Sequence, residues 1–275
     1  METYTLDDLT IKEHLLELAE KGNKPFTESL NPGVEHVLGI RVPDLRKLAA
    51  RIARTDWERF LETSDTFYME ERMLYGMVLG CIRPDEDVEV YLHRVTCFVW
   101  MINSWSVCDT FKFAGGQRFV DRHAGRLWEY LKQWMNADGE YEVRFGVVMS
   151  MSYFVDEAHL EELLACYDSI RHEGYYVKMA VAWALSVCFV KFPERTMEYL
   201  KNNSLDTFTY NKTLQKIVES FRVDKDTKAL IRSMKRPSDK QRNVMETVPA
   251  GRLRYAIQRF FSAIPVCAGR AGVSP

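Results

Sequence analysis

Apolar residues recur at three- and four-residue intervals along almost the whole chain, the spacing that lines one face of a helix. A first amphipathic helix is predicted around Leu9 to Lys21, then a turn or irregular connection over Gly22 to Gly39, which contains Pro25, Pro32 and Gly33. From Val42 the pattern is helical almost throughout, with Pro43 placed where a helix can start. Later helices are predicted over Glu70 to Cys81, Val88 to Trp100, Ser104 to Phe113, Phe119 to Met135, Glu142 to Phe154, Ala158 to Ile170, Tyr175 to Phe192, Arg195 to Asn202, Tyr210 to Phe221 and Lys225 to Met234. No stretch alternates at period two, so no strand is expected.

The helical segments also resemble one another. R-M-L-Y-G-M-V-L from Arg72, R-F-G-V-V-M-S-M from Arg144, K-M-A-V-A-W-A-L from Lys178 and K-T-L-Q-K-I-V-E from Lys212 each open on a cation. The cations are 72, 34 and 34 residues apart, and Asp109 divides the first gap into 37 and 35. A unit of that length holds two helices, and one helix pair cannot bury its own apolar face. The expectation is therefore an all-α solenoid of stacked helix pairs with a concave groove. A residue recurring once per unit forms a line along that groove: Arg72, Asp109, Arg144, Lys178, Lys212. Four cations so spaced suit a phosphate backbone, whereas periodicity alone also fits an internal ion pair around Asp109.

Composition adds a boundary. Residues 236–275 hold seven Lys/Arg against two Asp/Glu and four of the nine prolines, so the formal charge of −2 divides into +5 there and −7 over residues 1–235. Residues 1–235 are read as the repeat domain and 236–275 as a basic extension, within which Leu253, Ile257, Phe260, Phe261 and Ile264 form an apolar stripe. The six cysteines show no C-x-x-C pairing and read as reduced thiols. The six histidines form no i, i+4 pair, so neither a metal nor a cofactor is expected. With no membrane span or signal peptide evident, the expectation is a cytoplasmic monomer. Trp57, Trp100, Trp128 and Trp134 are read as core.

Within Val99 to Phe111, Trp105 precedes Asp109 by four residues, one helical turn. Arg144 follows Asp109 by 35 residues and Trp183 follows Arg144 by 39. On these intervals, and on N-S-W-S-V-C-D (103–109), V-R-F-G-V-V (143–148) and L-G-I-R-V-P-D-L-R (38–46), the chain resembles the AlkD-type DNA alkylation repair glycosylases over about residues 4 to 235. Founding members carry a Tyr before the L-G-I segment, where this chain reads T-E-S-L-N-P.

The resemblance implies HEAT-like repeats and a DNA glycosylase that hydrolyses the N-glycosidic bond of N3- and N7-alkylated purines in double-stranded DNA for base excision repair. It implies Asp109, Trp105 and Trp183 as catalytic residues, with Arg144, Lys178, Lys212 and Arg72 on DNA. Two other readings stay open: a catalytically silent protein that binds bent or branched DNA by shape, and a protein-interaction scaffold.

Overall fold

The computed structural model describes residues 3–84 and 87–237. The chain divides into two units, Met1–Pro237 and Ser238–Pro275. The basic extension and its apolar stripe lie outside the described residues.

The N-terminus departs from the expected absence of strands. β1 (Thr5–Leu6) pairs antiparallel with β2 (Leu9–Thr10). Asp7 and Asp8 between them both have positive φ, 50° and 65°, the geometry of the tight two-residue turn that matches strand twist. Strands of two residues are too short to show a period.

Thr10 then caps α1 (Ile11–Ala19) in a reciprocal box with Glu13. The segment predicted to be irregular contains a helix, α2 (Lys24–Leu30), started by Asn23 as N-cap with Pro25 in its first turn. Its seven residues are too few for a periodic signal, and none of them is buried.

The remaining helices are α3 (Val42–Ile52), α4 (Trp57–Thr63), α5 (Met69–Cys81), α6 (Val88–Met101), α7 (Trp105–Thr110), α8 (Gln117–Arg122), α9 (Ala124–Met135), α10 (Glu140–Tyr153), α11 (Leu160–Ser169), α12 (Tyr175–Lys191), α13 (Pro193–Lys201), α14 (Thr207–Glu219) and α15 (Lys225–Ser233). The predicted helix over 119–135 is two helices that meet at His123. Gly115 and Gly116 are at φ 73° and 60°, and Gly116 is the N-cap of α8, so this pair turns the chain into a helix instead of ending one.

The packing order defines the architecture. One row runs α3, α5, α7, α10, α12, α14, each packed on the next. The other helices lie against members of that row: α6 on α5, α9 on α10, α11 and α13 on α12, α15 on α14. This is an all-α, solenoid-like stack of helix pairs, and its core is continuous from Leu15 to Ile231. In the row, α5, α10 and α12 are apolar nearly all round, because each is covered by a partner helix and by two neighbours in the row. Close approach is set locally: a Cβ on Gly146 of α10 would lie 2.7 Å from the Met135 nitrogen and 3.0 Å from the Leu131 oxygen of α9. Among the tryptophans expected in the core, Trp128 is buried, but Trp100 is 67% exposed. It lies beyond the buried pair Phe98 and Val99 in the last turn of α6, on the face that the row does not cover.

Candidate active site

The site is assembled around α7. Ser104 caps this helix by accepting from the Val107 amide at 3.2 Å. Two bonds key α7 to the C-terminus of α2: the Trp105 indole Nε1 donates to the Leu30 carbonyl at 2.9 Å, and Ser106 Oγ donates to Asn31 Oδ1 at 2.7 Å. The segment that looks irregular in sequence is therefore half of the frame that orients Trp105.

The frame is anchored further back. The buried carboxylate of Glu70 on α5 accepts from the amides of Leu38, Gly39 and Ile40 at 3.0, 2.6 and 3.3 Å. Gly39, at φ 83°, stands so close to α2 that a Cβ there would be 2.4 Å from Lys24 Cα. The L-G-I residues of the early motif thus carry structure: they fold over Glu70 and seat α2 against α7.

One turn beyond Trp105, Asp109 meets Arg144 of α10. Arg144 Nε donates to Oδ1 at 3.0 Å and Nη2 to Oδ2 at 2.7 Å, a two-pronged pair. The side chains are 0% and 6% exposed respectively. Arg144 Nη1 donates to the carbonyl of Tyr176 on α12 at 2.8 Å, so the guanidinium ties α7, α10 and α12 together. Burial pulls the guanidinium pKa down, but the charge and hydrogen bonds of Asp109 outweigh that and hold it above its ordinary value. The neighbouring Cys108 thiol is pushed well up by burial and then by Asp109, so it stays protonated. The ring of Tyr141 stacks on that of Tyr176 at 5.6 Å, which adds an aromatic wall beside Arg144.

The other cations of the predicted line are placed less simply. Lys178 is 15% exposed and pairs with Glu173 at 2.7 Å and with Asp206 at 3.9 Å. Lys212 lies over the Phe208 ring, 5.6 Å from its centroid, with Gln215 Oε1 at 3.4 Å. Arg72 is half-buried on α5, its pKa lowered by burial against the opposing charges of Glu71 and Asp65. Trp105 and Trp183 are half-buried, and Trp183 packs against the core from α12.

A residue outside the predicted set belongs here as well. Lys216 of α14 is half-buried and within electrostatic range of both Arg144 and Asp109. A signal for it exists in the repeat. Four residues past the opening cation the other segments have Gly76, Val148 and Ala182, and only this one has a charge.

A helical solenoid with an enclosed, two-pronged carboxylate–guanidinium pair between aromatic residues is a nucleic-acid repair architecture in outline. Comparison with protein families matches residues 11–218 to the family described as DNA alkylation repair enzyme. The chain belongs to that family, and alkylated DNA is accordingly its substrate class. No curated protein matches the chain.

Proposed function

We propose that the protein is a DNA glycosylase releasing N3- and N7-alkylated purines from double-stranded DNA. The observation that carries this reading is the Asp109–Arg144 pair: an anion fixed at both oxygens and shielded from water, one turn from an indole. Alkylation at N3 or N7 makes the base cationic and a good leaving group, so the demanding task is to stabilise the sugar as it gains oxocarbenium character. A preorganised carboxylate in a dry site does this with little reorganisation. Asp109 is that carboxylate and also orients the attacking water. Because its side chain has no exposed surface, the sugar reaches it only as binding opens the site. Trp105 and Trp183 offer their faces to the cationic sugar and base, each contact worth about 0.5 to 2 kcal/mol. Arg144 holds Asp109 first, and one further N–H on each Nη remains for a phosphate. Incubating the protein with methylated duplex DNA should release 3-methyladenine and 7-methylguanine. Tight binding without released base would refute the reading.

The silent DNA-binding alternative draws support from the same region, since Lys178 already has carboxylate partners and both oxygens of Asp109 are engaged. Either reading predicts backbone contacts by Lys178 and Lys212. Replacing either with Ala should weaken binding about equally across sequences and reduce the salt slope by roughly one unit. A slope unchanged in both variants would remove these two residues from the DNA interface.

A further inference from the structure

Base release leaves an abasic deoxyribose, whose ring-opened form carries an aldehyde at C1′. We propose that Lys216 is the nucleophile of a second reaction on that product, a Schiff-base lyase that cleaves the DNA strand by β-elimination. This inference rests on the glycosylase reading for the source of its substrate, but its chemistry is tested separately.

The placement comes from the packing order. α14 packs along α12, α12 along α10, and α10 against α7, which draws Lys216, Arg144 and Asp109 from three different helices toward one site. Lys216 stands one turn past Lys212, beside the buried stripe of Thr213 and Ile217. A lysine shielded in this way and set beside other cations is the type that serves as a Schiff-base former, because its amine loses its proton near neutral pH. Four charged groups act on it: Lys212 and Glu219 from its own helix, Arg144 from α10 and Asp109 from α7. Burial lowers its pKa, Arg144 and Lys212 add to that, and Glu219 and Asp109 oppose it, with the balance at about 8. At pH 7.5 roughly a quarter of such amines are neutral, against roughly one in a thousand for an ordinary lysine.

The steps balance without an outside reagent. The neutral Nζ adds to C1′, the carbonyl oxygen leaves as water, and a cationic iminium forms within the field of Asp109. The acidified C2′ proton passes to solvent water, its electron pair forms the C2′–C3′ double bond, and the C3′–O bond breaks to expel the 3′ phosphate ester. Water then hydrolyses the conjugated iminium, which returns the lysine amine and releases the unsaturated aldehyde.

The test uses a duplex that already contains an abasic site, so no base release is needed, and sodium borohydride to reduce the iminium to a stable amine. At saturating protein the full chain should give a covalent protein–DNA adduct, formed faster as the pH is raised toward about 8. K216R keeps the charge but lacks the nucleophilic amine and should lower the adduct at least about tenfold. K225R, at the exposed start of α15, should leave it unchanged. If K216R does not fold, digestion and mass spectrometry of the wild-type adduct should locate the reduced deoxyribose on Lys216. Failure of wild-type protein to give an adduct above background, an adduct undiminished in K216R, or its mapping to another amine would overturn the proposal. Failure of the glycosylase reading would appear elsewhere, as no purine released from methylated DNA.

Discussion

Asp109→Asn is expected to slow single-turnover release of 7-methylguanine roughly 100- to 1000-fold, the loss typical of removing one preorganised electrostatic stabiliser. Asn keeps nearly the same shape and one acceptor oxygen, so the missing quantity is charge. Affinity should remain unchanged or become tighter, because an anion is removed from a surface that faces phosphates. The same substitution leaves Arg144, 6% exposed, without its counter-charge, a change that costs about 3 to 5 kcal/mol when a buried pair is broken. A lower melting temperature is therefore expected whether Asp109 is catalytic or only structural. Excision per folded molecule separates the two roles: rates measured at a temperature where the variant is fully folded should still show the full loss. Near wild-type excision by that folded fraction would sink the catalytic assignment.

The helical stack was readable because it rests on periodicity over many residues, and long apolar helices such as α10 and α12 announce themselves whatever they touch. The pairing of Asp109 with Arg144 was legible only as one of two meanings of a 35-residue interval. Sequence spacing puts the two residues on adjacent units, but the depth to which they are buried depends on the packing of α7 against α10. α2 and the hairpin escaped notice because seven and two residues carry too little pattern, and their stability comes from tertiary partners such as Glu70. Lys216 was passed over for a different reason. Aligning repeats by their opening cations favours Lys212, while the curvature of successive helix pairs decides which of two lysines one turn apart turns toward the carboxylate.

Replacing both members of the buried pair tests whether it is kept for stability or for chemistry. Arg144→Met and Asp109→Leu each strand one buried charge, and each alone should cost about 3 to 5 kcal/mol. For a domain of this size that corresponds to a fall in melting temperature of roughly 6 to 20 °C. The double variant strands no charge, and apolar replacements of similar volume commonly restore or exceed the original stability, by about 1 to 4 kcal/mol in favourable cases. The Tyr176 carbonyl, which loses the Nη1 bond, lies in the first turn of α12 and keeps a helical amide as partner. The expected result is a large coupling between the two sites, with melting near that of the wild type and no detectable excision. Stability losses that simply add would show that the two side chains do not compensate each other in the folded protein. Excision retained by the well-folded double variant would show that the charge pair is not the seat of the chemistry.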